Sequence, residues 1–344
     1  MQLVFKRLIF LFIIITSIDS WGQHPVLRNY TVDDGLPSSE VYHVFQDSKG
    51  YIWMATNFGV SRFDGIDFRN FDTQDGLPEN TIFEIYEDEI GRVWFVSFPF
   101  QLSYFQNDSL HLYKYNSLLK KMAGHGLIPA KRSFCADKAE NIWFSFLSDG
   151  RIFFISSQGD IKVLKDVRGS PYSIYVSEIK GQLFAIQNAV QSFDKQHLYM
   201  KSYGGERKSV LDLSASKYKG GYFLMFISET GDLLYAHNEL LFQIKPDGSN
   251  QTFNLRNRIL WIGADRDGSI WLGKEFEGAQ KYAPNNFTAD PIDSVLNGTT
   301  VSSVMVDNEG GTWFSTLGSG IFYLPTDAFS SYTHLDGLSG KNLK

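Results

Sequence analysis

The sequence predicts an all-β fold, a single seven-bladed β-propeller of four-stranded antiparallel blades. Three observations predict it. A turn motif returns seven times along the chain. Its apolar anchors stand at 53, 94, 143, 184, 234, 271 and 313, at separations of 41, 49, 41, 50, 37 and 42 residues. A period of about 40–50 residues with several strands per unit is the mark of a propeller blade. The composition agrees: 15% aromatic residues, 30 Gly and only 10 Pro favour strands and turns over helices.

The first 22 residues read as a targeting segment. Lys6 and Arg7 form a positive start, Leu8 to Ile15 is an apolar run, and small residues follow at Ser20-Trp21-Gly22. Eight apolar residues are too few to span a bilayer, which needs about 20, so a cleaved signal peptide over 1–22 is expected. Residues 23–344 then form the propeller domain. At 344 residues and 43% hydrophobic, the chain can bury a large core.

The repeat is clearest at its first copy, Asp47-Ser48-Lys49-Gly50-Tyr51-Ile52-Trp53. Val41 to Phe45 reads as one strand. Gly50 supplies the freedom a tight turn needs. Tyr51 to Thr56 is the next strand, Val60 to Phe63 a third after a turn at Asn57-Phe58-Gly59, and Ile66 to Phe71 the outer one after Asp64-Gly65. The later copies start at Asp88, Asp137, Glu178, Ser228, Asp265 and Asp307. The anchors are Trp53, Trp94, Trp143, Phe184, Leu234, Trp271 and Trp313. A large flat side chain at one place in each blade fills the gap between neighbouring sheets. Phe184 and Leu234 fill less, so units four and five are expected to pack less well or to borrow bulk from Phe223 or Phe226.

A ring needs its two ends to meet. Arg28 to Leu36 matches Ser331 to Leu338. Val26 to Thr31 is therefore a candidate outer strand for the last blade, with Ser330 to Thr333 the alternative. Asp336-Gly337-Leu338-Ser339 reads as the start of a further unit, which suggests a piece of a longer protein.

The net charge of −6 and the absence of a basic run argue against nucleic acid. The single cysteine, Cys135, excludes an internal disulfide and reads as a buried small hydrophobe. The recurrent Asp at 47, 88, 137, 265 and 307 fits Asx turns at hairpins. Asp265-Arg266-Asp267-Gly268 hints at calcium, but the further oxygens of a calcium loop are missing. The seven His (24, 43, 111, 125, 197, 237 and 334) include no ligand pair, and His43 lies inside a repeat strand. Asn107-Asp108-Ser109 and Asn297-Gly298-Thr299 read as loops. No phosphate loop or serine elbow occurs. The residues therefore define no catalytic, cofactor-binding or metal site, and no cofactor is expected. Any ligand site should lie where loops of several blades converge at the axis.

Gly35-Leu36-Pro37, followed by Val41, Phe45, Asp47, Gly50, Ile52-Trp53, Thr56, Gly59, Phe63 and Gly65, resembles the two-component regulator propeller repeat. The signature returns from Gly76-Leu77-Pro78 and more weakly from Gly126. The resemblance covers about residues 28–338 and is weak in units four and five. It implies the periplasmic sensor region of a Bacteroidetes-type membrane histidine kinase, here a truncated member. Nothing matches a kinase or a phospho-accepting His box, so only the sensing role carries over and the chain itself is not expected to be an enzyme. The expected partners are a small molecule, glycan or protein ligand, a membrane-linked kinase module in the longer parent, and a possible second copy in a homodimer. The alternatives are a lyase-like propeller enzyme and a surface glycan-binding protein without a signalling role. A His and a carboxylate in hydrogen-bond reach at the axis would favour the enzyme.

Overall fold

The computed structural model describes residues 27–123, 129–137, 139–146, 149–164, 174–179, 182–190, 196–202, 208–212 and 223–326. The expected signal peptide, Gly126 and the alternative closing segment Ser330 to Thr333 lie outside them.

The described residues are overwhelmingly strand, arranged in four-stranded antiparallel sheets. In the first unit Val41–Gln46, Ile52–Thr56, Gly59–Phe63 and Phe68–Phe71 pair in chain order. Units two, three, five and six repeat the order. In the last unit Val301–Val306, Thr312–Thr316 and Ile321–Leu324 are joined by Arg28–Tyr30, with Tyr30 opposite Ile321 and Arg28 opposite Tyr323. The ring is thus closed by the segment before the first unit, within the expected Val26 to Thr31. One helix, Asn116–Ala123, fills the connection from unit two to unit three and buries Leu119. Eight residues are too few to show a sustained 3.6-residue period.

The expectation of a seven-bladed propeller is corrected to a ring of six. The innermost strands of units one, two and three meet in turn, as do those of units five, six, seven and one. The innermost strand of unit three, Pro129–Ala136, also meets that of unit five, Phe223–Ile227, directly. The fourth unit pairs into a sheet of its own, Ile174–Ile179, Gln182–Val190, Gln196–Ser202 and Lys208–Asp212, whose principal contacts outside itself are with unit three. Its worn sequence explains the difference. Its anchor position carries Phe184, smaller than the Trp that fills the gap between neighbouring blades, and the Phe226 that supplements Leu234 in unit five has no counterpart among its described side chains. The Phe184 side chain lies outside the described residues.

The other six anchors are buried, Trp53 and Leu234 fully so. Trp53 packs on Phe71, Phe95 and Phe105, the last two from the next blade. Leu234 sits in the cluster between units five and six, where Phe226 supplies bulk beside it. The repeated Asp ties each turn to its anchor. Asp47 Oδ1 accepts the backbone N–H groups of Lys49 and Tyr51, and its Oδ2 accepts the indole N–H of Trp53 at 2.7 Å. Asp88 and Asp307 do the same for Trp94 and Trp313 at 2.8 and 2.9 Å, and Asp265 holds Trp271 at 3.2 Å. In unit three Asn141 Nδ2 takes that oxygen of Asp137. In unit five the anchor side chain has no N–H, and the turn residue is Ser228, whose hydroxyl accepts the backbone N–H of Asp232 and shares a hydrogen bond with the Thr230 hydroxyl. These bonds account for the recurrent Asp as turn residues. At Asp265 and Asp267 the Lys281 ammonium, 2.7 and 3.3 Å away, already supplies the cation. Cys135 is buried.

Candidate functional site

The axis is lined by the first turn of each innermost strand. In units one, two, six and seven the register slips by one residue there, between Val41 and His43, Ile82 and Glu84, Ile259 and Trp261, and Val301 and Ser303. Such a bulge leaves one residue without a partner and re-aims the side chains beside it. The extra residues are Tyr42, Phe83, Leu260 and Ser302. Unit three is irregular over Pro129 to Phe134, with Arg132 at φ 57°.

This brings four ionisable groups together. The Lys131 ammonium reaches across the axis and donates to the carbonyls of Tyr42 and Ser302, at 2.6 and 2.9 Å. It therefore joins unit three to units one and seven. Arg132 lies over the Trp261 ring at 4.0 Å and donates to the Met225 carbonyl at 3.4 Å, joining unit three to units six and five. Its backbone N–H donates to Glu84 Oε1 at 2.6 Å. His43 packs against Trp261 with ring centres 4.9 Å apart, and its Nδ1 accepts the N–H of Ile85 at 3.1 Å. An accepting Nδ1 leaves the proton of the neutral ring on Nε2.

Burial sets the charge states. It pushes the Glu84 carboxyl up to about 7, against the opposing pull of the Arg132 N–H and the two cations. It pushes the Lys131 ammonium down to about 7, partly offset by the Glu84 charge. Burial and the same two cations hold the His43 imidazole well below its ordinary value, so the ring is neutral at pH 7. Two buried atoms of the cluster have no hydrogen-bond partner, the acceptor Glu84 Oε2 and the donor Trp261 Nε1. Above them Tyr42, Phe83, Leu260 and Arg132 remain half-buried. The arrangement can hold a polar group against Glu84 and Arg132 between aromatic walls. His43 and Glu84 are not hydrogen-bonded to each other: Nδ1 of the one accepts from Ile85 and Oε1 of the other from Arg132.

Sequence reasoning placed the site at the axis but left its residues undefined. The sequence marks His43 only as a residue inside a repeat strand. For Glu84, Lys131, Arg132 and Trp261 the one signal is a polar or oversized residue at the third or fourth place of an innermost strand. Among the described residues no three of His, Cys, Asp and Glu form a metal-binding group.

Fold and axis together define a closed β-propeller whose centre is crossed by charged side chains. Residues 35–58 match the family described as two component regulator propeller, within the Gly35 to Gly65 stretch that carries the resemblance in the sequence. The extracellular domain of the hybrid two component system BT3049 from B. thetaiotaomicron is similar in structure, with a TM-score of 0.65 and 18% identity over 87% of this chain and 42% of that one. That of the one component system BT4673 from the same organism gives 0.64 and 17% over 88% and 40%. Virginiamycin B lyase from Staphylococcus aureus gives 0.63 and 15% over 88% and 98%. At these identities the likeness is one of fold. The chain spans 42% and 40% of the two Bacteroides chains it matches. No curated protein matches the sequence.

Proposed function

We propose that this chain is an extracytoplasmic sensing propeller of a two-component system that binds its ligand at the axis and transmits the event without catalysis. The observation that carries the reading is the unspent hydrogen-bonding capacity there. Glu84 Oε2 and Trp261 Nε1 are buried and unpartnered, and such atoms are costly to leave so. A bound polar ligand would satisfy them. Arg132 and Lys131 join units one, three, five, six and seven at this point, so a ligand that draws on them alters contacts among most of the ring. The repeat at 35–58 and the fold shared with the extracellular domain of the two component system BT3049 support the location and the role.

Thermal unfolding of the full chain in the presence of a panel of soluble oligosaccharides and small polar compounds tests it. At least one compound should raise the midpoint of the wild type and leave that of Arg132→Ala unmoved. Equal shifts in both would remove the axis from consideration. A phosphatase fused to the full chain should be active outside the cytoplasm, and an inactive fusion argues against the location. Opening of a streptogramin ring by the purified chain would replace sensing with the lyase reading.

A further inference from the structure

One rim of the ring carries a row of large apolar side chains. Units six, seven, one and two each join their second and third strands by a short turn. Each of these turns exposes one such side chain: Phe276, Leu317, Phe58 and Phe98, at 67%, 42%, 61% and 41%. The four turns are tied to one another through the loops between blades. Thr300 accepts the N–H of Phe276 on its hydroxyl at 3.2 Å and that of Leu317 on its carbonyl at 3.1 Å. Glu40 pairs with Leu317 in an isolated bridge, and its Oε2 accepts from Asn57 Nδ2, beside Phe58, at 3.0 Å. The carbonyl of Asn80 accepts the N–H of Gly59 at 2.6 Å, and that of Thr81 the N–H of Phe98 at 2.8 Å. The row is therefore one continuous hydrogen-bonded strip with its apolar side chains at fixed spacing.

Two further features bear on its use. Phe276 sits at φ 60°, a left-handed conformation that is costly for a bulky residue. The matching turn of unit five has Asn238 at φ 54°, a residue suited to it. Folding alone would favour Asn or Gly at 276. The loops of this rim at 31–40 and 72–81 hold Asp33, Asp34, Glu40, Asp72, Asp75 and Glu79, and no Lys or Arg. None of the six is in an ion pair among the described residues.

We propose that this rim docks a protein segment that presents two or more large apolar side chains flanked by Lys or Arg. Phe and Leu offer no hydrogen-bonding tip to sugar hydroxyls, whereas they suit the apolar side chains of a protein. The six carboxylates outnumber the cations of the loop beside Phe276, Arg256 and Arg258, the latter paired with Glu275 at 3.8 Å, and so favour a cationic partner over an anionic membrane or the same rim of a second copy. The strip borders the axial site, since the Tyr42 hydroxyl donates to Glu40 Oε1 at 2.7 Å, but its apolar side chains belong to turns that contribute nothing to the axial cluster.

Displayed random peptides of about twelve residues, long enough to span several turns, selected on the full chain, test the proposal. Enriched peptides should pair large apolar residues with Lys or Arg and weaken as salt is raised. They should bind the Phe58→Ser, Phe276→Asn double variant about tenfold more weakly, the loss of a docking anchor. The variant changes two exposed turn residues, and its unfolding midpoint should stay at or above that of the wild type. Enriched peptides without basic residues, or with equal affinity for the variant, overturn the proposal. So do dimers of the wild type that the variant abolishes, which would assign the rim to a second copy. Binding to anionic vesicles that the variant loses would assign it to a membrane instead.

Discussion

The indole N–H of Trp53 donates to Asp47 Oδ2 at 2.7 Å, six residues back across a turn, and both side chains are buried. One carboxylate thus organises the turn with one oxygen and fixes the blade anchor with the other. Trp53→Phe keeps most of the packing but strands that oxygen. It should cost about 1–3 kcal/mol, the desolvation of an unpaired buried acceptor. Trp53→Ala should cost about 3–5 kcal/mol through the cavity it leaves. Denaturant unfolding measures both, and a Trp53→Phe variant as stable as the wild type would show the bond to be idle.

Gly320 closes the ring from the other side. Its φ is 76°, and a Cβ there would run into the Tyr30 carbonyl of the closing strand. Gly320→Ala should therefore displace Arg28–Tyr30 and cost on the order of 2–3 kcal/mol in strain. Proteolysis near residue 30 should quicken in step, and unchanged cleavage would contradict the closure.

Glu84 makes stability depend on pH in a stated direction. Its folded pKa is raised from 4.5 to about 7. Between these values the folded state holds the proton more tightly, so the stability it contributes is full below pH 4.5 and is lost as pH rises through 7. Glu84→Gln should remove this fall, on the order of 1–3 kcal/mol. Unfolding free energies of the two proteins across that window should converge at low pH and part near 7. Parallel curves would place the carboxylate in contact with water.

Phe276→Asn should stabilise the isolated chain by about 0.5–1 kcal/mol, because Asn accepts the left-handed backbone at lower cost. Calorimetry of the variant decides it. A loss of stability would mean that the Phe276 side chain packs in the fold after all.

Much of this was legible in the sequence. The Asp47 to Trp53 motif fixes strand, turn and anchor within seven residues, and local chemistry of that kind repeats visibly. The bond between the two was also present, as a constant six-residue spacing, but its meaning required the geometry. The axial cluster was not legible. His43, Glu84, Arg132 and Trp261 lie in four different blades, and single-residue bulges in three of them, with the irregular stretch Pro129 to Phe134 in the fourth, bring them together. The number of blades was misjudged for a related reason. The fourth unit keeps the alternation that makes strands, but seating a sheet between two others depends on side-chain bulk that strand periodicity does not report.

The clasp of Arg28–Tyr30 on Ile321–Leu324 has a consequence for how the ring is made. Arg28–Tyr30 precedes every other described strand in the chain and pairs with the last of them, so all the other blades of the ring must be synthesised before it finds its partner. Until then it is an open edge awaiting a mate. A nascent chain of this protein must be kept from pairing that edge with a neighbour, so synthesis and ring closure are coupled through three residues.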